Sequence, residues 1–581
     1  MSKMASKRLS NTQIVDVLED DEECIIDSPD EDEVDAEVIQ SDHNSESQES
    51  ANEIDSEWSD TDNEPLSRLA SEDSDNFYFS KNKCTKWAKE PPRTSVRVRR
   101  HNIMRETPGP KGRAKEIQTI SEAFFCMFSM DTVNLVLQQT NDYIKSIQEK
   151  FQRERDCKVL EYEELLAYLG LLYMSGVLRS SHLNFKDLWA TDGTGIEFFQ
   201  NTMSFNRFLF ISRCVRFDDK NTKSERLKTD KLAAVREFTD LMNNNFINNY
   251  CASENVTLDE QLPAFRGRFS GVVYMPNKPT KYGIKHYALV DSATFYLLKF
   301  EIYAGVQPEG PYRMPNDTVS LVKRMTEPIW GTGRNVTMDN WFTSVPLANI
   351  LLKDHQLTMV GTIRKNKPEI PTCFQPKRTR TEHSSLFGFQ EDVTLCSYVP
   401  KKSKAVLLIS SMHNDNNIVE SEKKKPEIIL YYNSTKGGVD TNDQMCANYN
   451  VGRRTKRWPM VIFYHLLNVA GINAYVIFKN KIDHGISRRE FLKHLAVDLV
   501  KVHQQTRSNI PQLPRAVQKR LKRNAEVQDP GSTSRGGPST SYKRCHICPR
   551  SKDKKIRFMC AKCHHHICHD HSTMICDKCI D

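Results

Sequence analysis

Long apolar runs are scarce in this chain of 581 residues. The greasiest stretch, Leu165 to Leu178, is interrupted by Tyr168, Gly170, Tyr173 and Ser175. It is too short to span a bilayer and reads as a buried helix, so no membrane partner is expected. The N-terminus is polar and then acidic, which excludes a secretory signal of the usual make-up. Positive charge is missing altogether from Ser10 to Ser67, where 22 Asp and Glu stand without one Lys or Arg. With few large apolar side chains beside them, these residues cannot bury a core, and a disordered acidic leader is expected over 1–107. Internal repeats are also absent, which argues against a solenoid. Cysteine is thin through most of the length. Nine of the 16 are scattered singly before residue 450, which suits reduced, buried thiols in an intracellular protein.

The acidic leader masks the character of the rest. Net charge is +7 for the whole chain, and the body without residues 10–67 carries +29. A strongly basic body suits a polyanion, and nucleic acid is the commonest large one. Ser28 and Ser59 precede acids and suit an acidophilic kinase acting on the leader. The stretch Arg93 to Arg100 fits a nuclear import signal, a phosphate contact or a solvated linker.

Periodicity divides the body. Apolar residues at three- and four-residue spacing predict helices from Ile120 through Ile147, Tyr162 to Met174, Phe205 to Val215 and Ala233 to Phe246. Short β-branched or aromatic runs then predict strands at Asn255 to Leu262, Tyr274, Tyr287 to Val290, Thr294 to Ile302, Asn335 to Met338 and Leu357 to Ile363. A helix is expected over Ser344 to Lys353, with Ser344 as N-cap and Pro346 in the first turn. From 366 to about 425, strands at Val393 to Val399 and Ala405 to Ser410 alternate with basic loops and look like an insertion into an α/β layer. A strand is expected at Ile428 to Tyr432 and a helix from Asp440 to Tyr449. Helical patterning resumes after Trp458, and Arg488 to Gln504 reads as a further helix. Pro530 to Tyr542 is a Gly/Ser/Pro linker.

Three acidic positions stand out by context. Asp259 ends a strand-like run in VTLDEQL, and Asp339 follows a strand in VTMDNW. Asp440 and Asp443 lie three residues apart in GGVDTNDQM, a spacing that puts both on one face of a helix. Carboxylates at two strand ends and on a helix can converge at one sheet edge and hold two Mg²⁺ ions roughly 4 Å apart, with Mn²⁺ as an alternative. One ion would activate the attacking water or 3′-hydroxyl, and the other would steady the leaving oxygen at phosphorus. Glu260, next to Asp259, should point the other way in a strand.

The segments VTLDEQLPAFRGR (256–268), YMPNKPTKYGIK (274–285), TMDNWFTSVPLANILL (337–352), YYNSTKGGVDTNDQM (431–445) and KRWPM (456–460) closely resemble piggyBac transposases. The resemblance runs from about residue 110 to the C-terminus. It implies a cut-and-paste DNA transposase with a DDD-type site, whose catalytic aspartates fall on Asp259, Asp339 and Asp440 and a further essential one on Asp443. It also implies a ribonuclease-H-like α/β catalytic domain at 254–365 and 427–449, with a β-rich insertion at 366–426. Helical dimerisation and DNA-binding segments would flank it at 108–253 and 450–528. A linker at 529–542 would lead to a cysteine-rich zinc domain at 543–581. Double-stranded DNA, as transposon ends and a TTAA target, a homodimer and nuclear residence follow from the same resemblance. A host-retained nuclear DNA-binding relative without transposition activity is the alternative.

Basic side chains cluster near the predicted edge. Arg266 and Arg268 follow the first aspartate, and Lys278, Lys281 and Lys285 lie on the next strand and turn. Arg364 and Lys367 follow the strand after Asp339, and Arg453, Arg454, Lys456 and Arg457 follow the catalytic helix. As a set they suit phosphate contacts, which position DNA without reading its sequence. Trp341 is expected in the core, and Trp458 suits either core packing or base stacking.

The last forty residues hold Cys545-x2-Cys548, Cys560-x2-Cys563, Cys568-x2-His571 and Cys576-x2-Cys579. Eight ligands at this spacing suffice for two structural Zn²⁺ sites. A cross-brace would group Cys545, Cys548, Cys568 and His571 in one site and Cys560, Cys563, Cys576 and Cys579 in the other. His569 or one of His564 to His566 could replace His571. Almost no apolar core accompanies them, so metal must supply the folding energy. In the resemblance, this domain binds the transposon's terminal DNA.

Overall fold

The computed structural model describes residues 39–40, 76–92, 103–104, 106–276, 278, 280–376, 378–482, 485–528, 543–549, 551–552, 555–556 and 565–572. Residues 39–40, 524–528, 543 and 555 are described by backbone alone. Most of the acidic leader, the basic stretch 93–100 and the linker lie outside the described residues. The chain divides into two compact units, Met1–His503 and Gln504–Asp581.

Helices build the first part of the larger unit. α1 (Ile120–Met127) opens with a capping box, in which Thr119 accepts from the Glu122 amide and Glu122 reaches back to the amide of Thr119. α2 (Met130–Ile147) is capped by Ser129, and α3 (Tyr162–Val177) is buried along nearly its whole second half. α4 (Phe205–Cys214) and α5 (Arg236–Asn249) complete the layer, with three short helices at Phe185–Leu188, Glu197–Thr202 and Lys220–Arg226. Aromatic rings fill the seams: Phe124 meets Tyr173 edge-on at 5.6 Å, and Phe217 packs on Phe238 at 5.0 Å.

A mixed sheet of ten strands runs through the larger unit. Its strands are β1 (Phe77–Phe79), β2 (Lys86–Ala88), β3 (Asn255–Gln261), β6 (His286–Asp291), β7 (Leu297–Ile302), β8 (Asn335–Met338), β9 (Thr358–Thr362), β10 (Ser385–Phe389), β11 (Thr394–Lys401) and β12 (Lys404–Ser410). A separate small sheet holds β4 (Val272–Tyr274) and β5 (Tyr282–Ile284). The order in the large sheet is β7-β6-β3-β8-β9-β12-β11-β10-β2-β1. β3, β8 and β9 run parallel to their neighbours in this trio, and β6 and β12 flank it antiparallel. The parallel strands are buried on both faces, as such strands must be.

Two expectations are corrected here. Residues 76–92, placed in the disordered leader, form the β1–β2 hairpin at the sheet edge; Trp87 is fully buried and donates to the Glu369 carbonyl at 2.9 Å. The FYF and KWA runs supply the apolar surface that the acidic residues lack. The segment read as a β-rich insertion at 366–426 adds β10, β11 and β12 to the same sheet, with β12 paired to β9 from Val360↔Ser410 to Thr362↔Leu408. The strand expected at Ile428 to Tyr432 is a helix: Ile428, Ile429 and Tyr432 are buried at helical spacing behind Pro426. A short apolar run cannot by itself distinguish the two.

α6 (Thr318–Thr326) was not foreseen; it is capped by Asp317 and packs on β6 and β7. α7 (Val345–His355) starts at Ser344, which caps the Leu347 amide, with proline in the first turn. α8 (Glu427–Thr435) and α9 (Gly438–Asn448) are joined by Lys436 and Gly437. α10 (Trp458–Ile482) is long and apolar enough to cross a membrane, but 89% of its most apolar window is buried inside the protein. Its polar residues are used internally: Asn473 donates to the Leu297 carbonyl and accepts from the Leu297 amide, both at 2.9 Å. α11 (Arg488–Ser508) follows, and Arg488 donates to the Met445 carbonyl at the end of α9. In the smaller unit, α12 (Arg515–Gln528) is a strongly basic helix missed from sequence, and Lys543–Arg544 pairs with Lys555–Ile556.

Candidate functional site

The tetrapeptides VTLD (256–259) and VTMD (336–339) lie side by side in space. β3 and β8 are neighbours in parallel register, with Thr257↔Thr337 and Leu258↔Met338. The next residue on each strand is an aspartate, so Asp259, still paired with Ala288 of β6, and Asp339, just past the end of β8, stand level with each other, one strand spacing (about 4.8 Å) apart. A threonine clasp brings in the third. Thr257 Oγ1 donates to the Thr435 carbonyl at 2.6 Å, and Thr337 Oγ1 donates to Thr435 Oγ1 at 2.8 Å. Thr435 ends α8, and five residues later Asp440 sits in the first turn of α9. Gly438 permits this approach: a Cβ there would lie 2.5 Å from Thr257 Oγ1. The VT-x-D repeat was visible in the sequence and could have announced the clasp.

The acids lie within electrostatic reach of one another. Burial and then Asp339 push the Asp259 carboxyl well above the usual range, with Glu260 and Asp440 adding and Lys278 opposing. Burial raises Asp443 to about 7. Burial also raises the Tyr432 phenol, a side-chain bond with Thr362 opposes the rise, and Asp339, Asp259 and Asp440 add to it. Asp339 Oδ1 accepts from the amides of Trp341 (2.9 Å) and Phe342 (3.4 Å), which fixes the carboxylate against the start of the following turn. Like-charged oxygens held together this way are costly unless cations neutralise them. A set of hard carboxylate ligands with one exposed member, Asp440, fits divalent ions that keep part of their water.

Behind the acids lies a buried amide chain that sequence reasoning missed. His465 on α10 meets Gln261 Oε1 at 3.1 Å, Gln261 Nε2 donates to Asn442 Oδ1 at 3.0 Å, and Asn442 Nδ2 donates to the Phe295 carbonyl at 2.9 Å. These contacts fix the face of α9 that carries the carboxylates.

The predicted basic residues separate into two groups. Arg266, Arg268, Lys281, Arg454 and Lys456 are exposed, while Arg364 and Lys367 are half-buried. Arg266 lies over the Tyr282 ring at 4.9 Å, and Arg364 Nε reaches Asn340 Oδ1 at 3.4 Å. Lys285, Arg453 and Arg457 are corrections to the expected phosphate contacts, for their charge is used inside the protein. Lys285 is buried against Glu260 at 3.5 Å and lies over the Tyr287, Tyr303 and Trp341 rings. Glu260 does point away from Asp259, into this pair. Arg453 donates to the Ser180 and Leu183 carbonyls and stacks on Phe185, and Arg457 donates to the carbonyls of Ser212, Arg213 and Val215. Trp341 stacks on Tyr287, and Trp458 stacks on Phe269 at 4.4 Å.

In the smaller unit, Cys545, Cys548, Cys568 and His571 bring their ligand atoms within 4.8 Å of one another. The Cys568 Sγ to His571 Nδ1 distance is 3.2 Å, and Cys548 Sγ stands 3.6 Å from both Cys568 Sγ and His571 Nδ1. Three thiols and an imidazole at these separations fit the corners of a tetrahedron around zinc. Cys560, Cys563, Cys576 and Cys579, assigned to the second site, lie outside the described residues.

Two comparisons agree with this geometry. The model of the family described as Transposase IS4 matches residues 120–475, from the first helix of the body through most of α10. A solved structure entitled "Cryo-EM structure of piggyBac transposase synaptic complex with hairpin DNA" is similar at 33% sequence identity and a TM-score of 0.68, covering 82% of this chain and all of that one. The aspartates lie within the matched span, and the parallel strands that bring two of them level lie at its centre. The chain belongs to the piggyBac-type transposase family.

Proposed function

We propose that this protein is a metal-dependent DNA transposase that cuts transposon ends and joins them to a TTAA target. Asp259, Asp339 and Asp440 carry the chemistry with Asp443. The observation that carries the reading is the parallel register that sets Asp259 beside Asp339, with Asp440 delivered to them by the threonine clasp. Two bound Mg²⁺ or Mn²⁺ ions would supply Lewis acidity at the phosphodiester and activate the nucleophile. The chain's own part is to orient: Asp339 is fixed by two amides, α9 is fixed through Gln261 and Asn442, and the exposed Asp440 can meet solvent and substrate. The sheet order β7-β6-β3-β8-β9, with the last three parallel, supports a ribonuclease-H-like core.

DNA would reach the site along Arg266, Arg268, Lys281, Arg364, Lys367, Arg454 and Lys456. The similar solved structure is a synaptic complex with hairpin DNA, which supports DNA as the partner; transposon ends and assembly of two copies belong to this reading. The Cys545, Cys548, Cys568 and His571 cluster would hold one structural Zn²⁺ in an end-binding domain over 543–581, with a second held by the remaining cysteines. Nuclear residence follows from the substrate. Phosphorylation of the acidic leader, at serines such as Ser28 and Ser59, would add charge to a segment already negative.

The test is an excision assay on matched transposon ends bordered by TTAA, with wild type and Asp339→Asn. Excision by wild type and its loss in the variant are expected. Equal excision by both would remove the proposed site, and none from wild type would remove the activity.

A further inference from the structure

We propose that Lys278 is a resident cation of the aspartate cluster, which neutralises the carboxylates before metal arrives and competes with metal for them. The inference rests on the reading of Asp259, Asp339, Asp440 and Asp443 as metal ligands.

The three lysines of the motif at 278, 281 and 285 have three different surroundings. Lys281 is exposed, and Lys285 is buried on Glu260. Lys278, in the turn between β4 and β5, points its Nζ into the acid cluster. The ammonium donates to the Glu260 carbonyl at 3.2 Å and stands 3.8 Å from Asp440 Oδ1. Its side chain is 21% exposed, against 70% for Asp440, so the pair is shielded on the lysine side only.

An ammonium is a compact point charge with three donors on a flexible stem. Anchored to a backbone carbonyl of β3, it can release Asp440 without any movement of the strand. In the metal-free protein it offsets the repulsion among the acids. When divalent ions enter, it must yield Asp440, and part of their binding energy is spent on that exchange.

The test uses the full chain at pH 8 without DNA. Free Mn²⁺ is followed by its electron paramagnetic resonance signal in wild type, Lys278→Met, Lys278→Arg and Asp339→Asn, and melting is recorded without added divalent ions. Lys278→Met should tighten the Asp339-dependent Mn²⁺ site about tenfold, since one unit charge within 4 Å is removed, and should lower the metal-free melting temperature. Lys278→Arg should stay near wild type. Lys278→Gln replaces the methionine variant if that fails to fold, with the same tightening expected. Unchanged Mn²⁺ affinity in a folded Lys278 variant, with binding still lost in Asp339→Asn, overturns the lysine's role and leaves the metal reading standing. Absence of Asp339-dependent Mn²⁺ binding in wild type removes both.

Discussion

Thr337 Oγ1 donates to Thr435 Oγ1 at 2.8 Å, joining the strand that ends in Asp339 to the helix that precedes Asp440. The bond is buried and spans about a hundred residues of chain. Thr435 Oγ1 in turn donates to the Tyr431 carbonyl at 2.9 Å, so every polar atom of the clasp is satisfied.

Thr435→Val keeps the shape but leaves the Thr337 hydroxyl without its acceptor. Stability should fall by about 1–3 kcal/mol in urea unfolding, the usual cost of one buried group left unsatisfied. Gly438→Ala should act more locally, since its Cβ would lie 2.5 Å from Thr257 Oγ1 and 3.0 Å from Thr257 Cβ. That variant should stay folded yet lose most of its Mn²⁺ affinity and excision. Normal excision by Gly438→Ala would show that the start of α9 need not lie so close to β3.

Two basic residues of neighbouring motif blocks should fail in opposite ways. Lys285→Met strands Glu260 in the interior and should cost about 3–5 kcal/mol, as broken buried pairs do. Its melting temperature should fall sharply. Arg266→Ala removes an exposed charge over Tyr282 and should leave melting within a degree or two of wild type. Its DNA affinity should fall, and the slope of log affinity against log salt should flatten by about one unit. A melting loss in Arg266→Ala equal to that of Lys285→Met would contradict this division.

His465 predicts a pH dependence. Burial pushes its pKa down to about 4, from an ordinary value of 6.5. The unfolded chain takes up a proton below 6.5 and the folded one does not, so this contribution is intact above pH 6.5 and is lost as pH falls towards 4. The full loss is about 3 kcal/mol. His286, ring to ring with His465 at 4.9 Å, is also held below its ordinary value and adds an effect of the same sign. Urea midpoints at pH 7 and pH 5 should therefore separate more for wild type than for His465→Gln, since His286 is present in both. Parallel pH profiles would show that the His465–Gln261 contact does not require a neutral imidazole.

The cysteine cluster predicts a metal count. Cys548→Ser removes a ligand that lies 3.6 Å from both Cys568 Sγ and His571 Nδ1. Zinc per chain, measured by plasma emission on purified protein, should fall by one ion. His569→Ala should leave the count unchanged, because it is His571 Nδ1 that stands among the three thiols. Equal loss in both histidine and cysteine variants would reassign the fourth ligand.

The sequence carried the chemistry because the residues that make it are short and local. The Cys-x2-Cys pairs near the end suggest a ligand type by spacing, whereas Asp259, Asp339, Asp440 and Asp443 were singled out by the resemblance of the segments around them. It also determined the helical body, since apolar periodicity over 120–147 or 458–478 survives any tertiary context. Three outcomes belonged to the tertiary structure. Ile428 to Tyr432 is a helix because packing, not the five-residue run, settled its period. The hairpin at 77–88 is ordered because Phe389 offers Ala88 a strand edge and Trp87 a buried seat. The three lysines at 278, 281 and 285 differ because a charge's role depends on which acid or solvent faces it, and that is fixed only when distant strands and helices close around the site.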